Sequence, residues 1–212
     1  SMSGLPFLTG FICQKLVCQF RPRPCELILI DKQLVEEKKK QMKATDTAFL
    51  STNDILMAAI CQAIPNNKLC WHFRNERGRL PGVETSDGGC FISHLAAPTK
   101  YFQDPNNVRR VSDMGFYYPP KQTPIYPTYV GSYMVVSSWA TAKGSRSLTP
   151  DGSNVHFHCP HPMFVRDLPF DVVIIFAVDD DHLGIIHNIY PSAMTPESRM
   201  FIDDIAVENR AG

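Results

Sequence analysis

The sequence predicts an α/β protein in which helices flank a mixed β-sheet. Short runs of apolar, β-branched residues typical of buried strands recur along the chain, and the clearest is 171–178, Asp-Val-Val-Ile-Ile-Phe-Ala-Val. Segments with helix-capping residues lie among these runs. The predicted order of strand, helix, helix, several strands and a final helix favours a mixed sheet with helices packed on it.

The first three elements have local signals at their ends. Residues 25–30 are short, apolar and rich in β-formers, which predicts a strand. The next segment, 31–43, begins with an aspartate that can cap a helix. A second helix is predicted over 51–64, where Ser51 and Asp54 resemble a capping box. It is apolar nearly all round, which predicts burial in the core.

The rest of the chain is predicted to form further strands, one long loop and a closing helix. The segment 98–128 contains repeated prolines, and we predict a Pro-rich loop there. Asp179 to Asp181 is typical of a hairpin turn. The predicted strands cover 69–74, 90–93, 129–139, 171–178 and 183–189, and the closing helix covers 197–207.

Composition excludes several classes of protein. Lys plus Arg number 21 and Asp plus Glu number 21, so the chain lacks the positive excess by which proteins bind nucleic acid or anionic membranes. The apolar run 5–17 is interrupted by polar residues and is too short to span a bilayer. Seven cysteines without a Cys-x-x-Cys pair favour free thiols in a reduced, cytoplasmic protein.

The first residues of the chain indicate where its domain begins. Ser1 precedes Met2, as in the scar of a cleaved tag. We therefore interpret 1–25 as tag scar, apolar segment and linker, and 26–212 as one domain.

Four segments resemble the C-terminal half of the BAHD-type, CoA-dependent acyltransferases, which have the chloramphenicol-acetyltransferase-like fold. Residues 26–63 resemble the family in their strand, their Lys-rich helix and the run Leu-Ser-Thr-Asn-Asp-Ile-Leu at 50–56, which is close to the family's "STNDVL" helix. Residues 77–91 are similar to its "NGR.RL" and "GYFGN" stretch, and 136–139, Val-Ser-Ser-Trp, to its "TSW" strand. Residues 171–204 resemble its closing hairpin and helix. Four weak motifs in the family's order cover most of 26–205.

The resemblance implies acyl transfer from a CoA thioester to a hydroxyl or an amine. It implies that the Ser137 hydroxyl contacts the oxyanion and that Trp139 contacts the acceptor. The alternative is a strand end with a core tryptophan. Ser51, Thr52 and Asn53 are candidates for binding CoA, because they open a helix whose N–H groups suit an anion; simple capping explains the same residues. Acyl-CoA is then a co-substrate, with no tightly bound cofactor.

The chain also departs from the family pattern. No histidine is followed by aspartate four positions on, so the family's His-x-x-x-Asp base is absent; His72 and Glu76 have only its spacing. In place of "DFGWG.P" stands Asn-Val-His-Phe-His-Cys-Pro at 154–160. The first hypothesis is thus one domain of an acyltransferase, which supplies half the substrate channel and is inactive alone. The alternative is a degenerate, non-catalytic domain that binds a protein or small ligand.

A third, weaker hypothesis is a metal site. The sequence has one cluster of potential metal ligands, His156, His158 and His161. Two histidines on the same face of a strand can together bind Zn²⁺. No second cluster supports it, so a surface strand is the simpler interpretation and we predict no metal.

The resemblance also predicts partners. Besides acyl-CoA and a small-molecule acceptor, we expect either the missing N-terminal half, self-association across the face that it would cover, or a rearranged segment 5–20 over that face. We expect neither nucleic acid nor membrane as a partner.

Overall fold

The described part of the chain forms a mixed six-stranded β-sheet with helices packed on one face. In the computed structural model these residues are 23–42, 49–65, 67, 69–79, 81–84, 92–115, 133–139, 166, 168, 170–194 and 202. The strands are β1 (Glu26–Asp31), β2 (Leu69–Asn75), β3 (Ile92–Pro98), β4 (Tyr133–Ser138), β5 (Asp171–Ala177) and β6 (His182–His187). The helices are α1 (Lys32–Gln41), α2 (Thr52–Ala63), α3 (Thr99–Phe102) and α4 (Pro105–Met114), with a 3₁₀ turn at Pro191–Ala193.

The sheet order among these strands is β1-β6-β5-β4-β2-β3. Strands β2, β4 and β5 run parallel to one another, whereas β1 with β6, β5 with β6, and β2 with β3 are antiparallel. The carboxyl ends of β2, β4 and β5 therefore meet at one side of the sheet, which we call the C-terminal edge. The α/β class and the mixed sheet predicted from the sequence are confirmed.

Both long N-terminal helices begin at the predicted caps. The carboxylate of Asp31 accepts a hydrogen bond from the backbone N–H of Gln33 at 2.7 Å. At the start of α2 the Ser51 hydroxyl accepts from the Asp54 N–H at 3.2 Å, and the Asp54 carboxylate accepts from the Ser51 N–H at 2.7 Å. The longest helix of the described residues, α2, has 12 residues, and none there is long and apolar enough to cross a bilayer.

The predicted Pro-rich loop over 98–128 is wrong in its first part, because α3 and α4 occupy 99–114. The carboxylate of Asp104 caps α4 by accepting from the Asn106 N–H at 2.9 Å, and Pro105 takes the first helical position. Gly115 ends the helix with a φ of 79°, a conformation that favours glycine.

The two faces of the sheet bury different sets of side chains. The face under the helices carries the larger core, which includes Val136, Ile175, Ile185 and most of α2. The opposite face, which we call the open face, buries a smaller cluster made of Val172, Ile174, Phe176, Val178 and Ile186. Since side chains alternate along a strand, Tyr133, Val135 and Ser137 of β4 lie on the open face.

Several sequence predictions concern residues outside the described ranges. They are the segment 1–22, residues 90–91 of the predicted strand, the end of the Pro-rich segment (116–128), residues 129–132, the histidines at 156, 158 and 161, and most of the predicted closing helix over 197–207.

Candidate active site

Ser137 and Trp139 lie together at the C-terminal edge. The indole N–H of Trp139 donates a hydrogen bond to the Ser137 hydroxyl oxygen over 3.0 Å. The backbone N–H of Trp139 donates to the Ile175 carbonyl at 2.7 Å, which extends the pairing of β4 with β5 by one residue. The two side chains share one face because they are two residues apart on an extended chain.

The exposure of Trp139 argues against a purely structural tryptophan. Trp139 is 43% exposed, and it is one of six large apolar residues of the described chain that are exposed. A core tryptophan is largely buried and is enclosed by apolar neighbours. Trp139 is therefore not a core residue, and the alternative of a core tryptophan is wrong.

Aromatic side chains occupy the open face beside this pair. The ring of His94 on β3 lies 6.3 Å from that of Trp71 and 5.0 Å from that of Phe73, both on β2. Trp71 in turn lies 6.1 Å from Tyr133 on β4. These residues give the open face an apolar, aromatic surface that reaches from β3 to β4.

The predicted CoA-binding residues lie at the N-terminus of α2. Arg109 of α4 approaches the Asp54 carboxylate at 3.6 Å, and Arg74 at the end of β2 donates to the Ser112 carbonyl of α4 at 2.7 Å. These contacts set the start of α2 at the C-terminal edge. It lies on the helix-covered side of the sheet, opposite Ser137.

The hydroxyl groups at this helix start already have partners within the protein. Ser51 takes part in the capping box, and the Thr52 hydroxyl donates to the Glu36 carboxylate at 3.0 Å. Burial raises the pKa of Glu36, but hydrogen bonds from Lys39 and Thr52 lower it by more, so the net shift is downward and the carboxylate stays ionised. The Asn53 side-chain oxygen is buried without a hydrogen-bond partner among the described residues. The roles predicted for Ser51, Thr52 and Asn53 in CoA binding remain predictions.

A cluster of buried ionisable groups lies between α2, α4 and β2. Asp54, His72 and Arg109 are each more than nine-tenths buried. Burial lowers the pKa of His72 to about 4, and the positive charge of Arg109 acts in the same direction. Burial also raises the pKa of Asp54 above its ordinary value. His72 is therefore neutral at pH 7.

The histidine and glutamate with the family's catalytic spacing do not act on each other in this arrangement. Glu76 instead pairs with Arg74 at 2.9 Å and accepts a hydrogen bond from the Ser93 hydroxyl. The ring of His72 is buried beneath α2 and α4, and its Nδ1 has no hydrogen-bond partner among the described residues. We therefore assign both residues to the interior of the fold.

Arg109 is a residue that the sequence did not indicate, because it lies within the segment predicted as a loop. Arg109 pairs with Asp113 one turn later at 2.6 Å, and its guanidinium lies 5.2 Å from the centre of the Phe49 ring. The spacing of Arg109 and Asp113, four apart on one helix face, is a sequence signal that would have found the helix. No group of three or more potential metal ligands occurs in the described ranges, which exclude the histidines at 156, 158 and 161.

The fold is similar to that of several solved acyltransferases. Vinorine synthase superposes with a TM-score of 0.56 at 12% identity, over 86% of this chain and 48% of that one. TRI101 of F. graminearum complexed with coenzyme A and deoxynivalenol gives 0.50 at 13% identity, over 78% and 45%. The same protein complexed with ethyl coenzyme A gives 0.50 at 13% identity, over 84% and 47%.

These superpositions define the class of fold. It is that of the BAHD-type, CoA-dependent acyltransferases, the chloramphenicol-acetyltransferase-like fold, and the resemblance seen in the sequence is confirmed at this level. No family model and no curated sequence matches the chain. The chain spans about half the length of the solved structures that it matches.

Proposed function

We propose that this chain is one domain of an acyltransferase that transfers an acyl group from a CoA thioester to a hydroxyl or an amine. The observation that carries the proposal is the Ser137–Trp139 pair, two hydrogen-bonding side chains at the C-terminal edge of this fold. Ligands of open α/β sheets bind beyond the carboxyl ends of the strands. Support also comes from the solved TRI101 structure complexed with coenzyme A.

In this proposal Ser137 acts on the thioester carbonyl. As an acceptor attacks, the carbonyl oxygen gains negative charge, and a hydroxyl aimed at it stabilises the tetrahedral intermediate. Trp139 lies next to that hydroxyl, and the aromatic open face offers apolar surface for an acceptor. A base must remove the acceptor's proton, and the sequence contains no His-x-x-x-Asp motif to supply it. A second domain would therefore supply the base.

We expect the chain to bind acetyl-CoA with micromolar affinity and without turnover. Trp139→Ala should weaken this binding about tenfold, since it removes an exposed indole and the hydrogen bond to Ser137. Titration calorimetry with acetyl-CoA and free CoA measures both. Tyr190→Ala is the matched control, because Tyr190 is also an exposed aromatic residue but follows β6 at the opposite end of the sheet.

Three outcomes would contradict this proposal in whole or in part. Undetectable binding of both CoA compounds by the unmodified chain would remove CoA as a ligand. Equal losses in Trp139→Ala and Tyr190→Ala would show that binding does not occur at the end of β4. Acyl transfer by the isolated chain would contradict the part of the proposal that assigns the base to another domain.

A second candidate is a non-catalytic, acyltransferase-like domain that binds a protein partner or a small ligand. The start of α2 favours it, because the Thr52 hydroxyl already donates its proton to Glu36 and is therefore not available as a donor to CoA. A chain that binds neither acetyl-CoA nor CoA in the calorimeter would make this candidate the better one.

The exposed apolar residues of the C-terminal edge support a partner domain. Among the described residues, six large apolar side chains are exposed, and four lie at this edge: Phe49, Ile92, Met114 and Trp139. Exposed large apolar side chains that collect at one end of a sheet favour an interaction surface there. The proposed occupant is the missing half of the enzyme, and in its absence a second copy of this chain.

We expect the isolated chain to self-associate through this edge. Sedimentation velocity over a hundredfold range of concentration should show a dimer that Ile92→Lys dissociates, because the lysine places a charge in an apolar contact. Leu27→Lys is the matched control on the other edge strand, β1, and should leave the dimer intact. A monomer at every concentration would contradict the expectation.

A further inference from the structure

We propose that Trp139 is a positioning residue that acts through Ser137, a role distinct from contact with the acceptor. The inference rests on the proposed function, since it concerns the same carbonyl oxygen. It starts from one contact, the hydrogen bond of 3.0 Å from the indole N–H to the Ser137 hydroxyl oxygen. The resemblance to the acyltransferases implied only separate roles for the two residues.

The chemistry of the two groups determines which of them donates the hydrogen bond and which accepts it. An indole N–H only donates, whereas a serine hydroxyl has one proton and two lone pairs. The indole therefore occupies a lone pair of Ser137, and the serine proton must point away from Trp139. A hydroxyl that accepts one hydrogen bond also becomes a stronger donor through its own proton. Trp139 thus both aims and strengthens the donor that Ser137 presents.

The backbone holds the pair in this arrangement. Ser137 is paired in register with Ile174 of β5, and the Trp139 N–H donates to the Ile175 carbonyl at 2.7 Å. Side chains on a paired strand stand on rigid backbone, which fixes the geometry of a donor better than a loop does. During acyl transfer the serine proton stays on Ser137, and its hydrogen bond to the thioester oxygen strengthens as that oxygen becomes negative.

The binding of acetyl-CoA and of ethyl-CoA distinguishes the positioning role of Trp139 from simple contact with the ligand. Acetyl-CoA and ethyl-CoA differ at the carbonyl oxygen that Ser137 would contact. We expect the unmodified chain to bind acetyl-CoA about fivefold more tightly, which is the net contribution of one hydrogen bond. Ser137→Ala, Trp139→Phe and the double variant should each lower this preference to about one, while the affinity for ethyl-CoA stays within about twofold. Ser137→Thr should retain the preference, because threonine keeps the hydroxyl.

Calorimetry on these proteins decides between the interpretations. Loss of the acetyl preference in Trp139→Phe, with no further loss in the double variant, supports positioning. If Trp139→Phe keeps the preference, or weakens both ligands equally, Trp139 does not act through Ser137 and the inference is overturned. If the unmodified chain binds neither ligand, the proposed function itself fails, and the inference fails with it.

Discussion

Substitution of Asn188 by leucine should lower the free energy of unfolding by roughly 3 to 5 kcal/mol. Asn188 is fully buried next to the end of β6. Its side-chain oxygen accepts from the Val172 N–H at 2.7 Å, and its amide donates to the Phe170 carbonyl at 2.9 Å. Leucine has nearly the same size but leaves both backbone groups without that partner. Unpaired buried backbone groups are among the most costly defects in a folded protein.

Urea unfolding followed by circular dichroism measures this loss. Asn106→Leu is the matched control, because Asn106 is a half-buried asparagine near the start of α4, and we expect less than about 1 kcal/mol there. If Asn188→Leu is too unstable to purify, Asn188→Ser keeps a neutral hydroxyl that can hydrogen-bond one of the two backbone groups, so its loss should be intermediate. A change below about 1 kcal/mol in both variants would show that Asn188 does not hold β5 in place.

Elements with local signals could be predicted from the sequence. The capping box of Ser51 and Asp54 and the cap of Asp31 lie within three residues of the groups that they bond, so the helix starts were found. The hairpin of β5 and β6 was found because an apolar run turns at three aspartates and returns. Such features require no knowledge of the rest of the fold.

Helix α4 was missed although its signals are equally local. The many prolines of 98–128 together indicate a loop, whereas Pro105 stands at the one helix position that suits proline. An aspartate cap precedes it, and Gly115 follows the last turn. Position within the segment, more than its proline content, decides whether such a segment is helical.

The candidate site could be predicted only in part. The spacing of Ser137 and Trp139 places them on one side of a strand, which the sequence indicates. Their mutual hydrogen bond and the exposure of Trp139 depend on how β4 pairs with β5, which no local pattern encodes. The buried cluster of Asp54, His72 and Arg109 joins three separate elements and becomes visible only in the folded chain.

That cluster leads to the second large effect, a loss of stability in mild acid. The pKa of His72 falls from 6.5 in the unfolded chain to about 4 in the fold, chiefly because burial disfavours the charged ring. Between these values the unfolded chain binds the proton and the folded chain does not. Stability from the neutral ring is therefore complete above pH 6.5, falls as the pH drops toward 4, and changes little below that. The shift corresponds to about 3 kcal/mol.

Protonation of His72 would place a second positive charge near Arg109, and both side chains are buried beneath α2 and α4. Asp54 acts in the opposite direction, because its pKa is raised by burial and its protonation in acid favours the folded state. The unmodified chain therefore reports the sum of several groups. The difference between it and a variant without the histidine isolates the contribution of His72.

We expect His72→Gln to remove about 3 kcal/mol of the pH dependence between pH 7 and pH 4, since glutamine is uncharged throughout. Urea unfolding at half-unit pH steps measures the free energy of unfolding for both proteins. His94→Gln is the matched control, because His94 is exposed on the adjacent strand β3, and its curve should run parallel to that of the unmodified chain. If the curve of His72→Gln runs parallel to that of the unmodified chain, protonation of the buried ring does not lower the free energy of unfolding. A difference between the two curves that changes by about 3 kcal/mol between pH 6.5 and pH 4 would show that the folded protein is stabilised by a neutral histidine under α2 and α4.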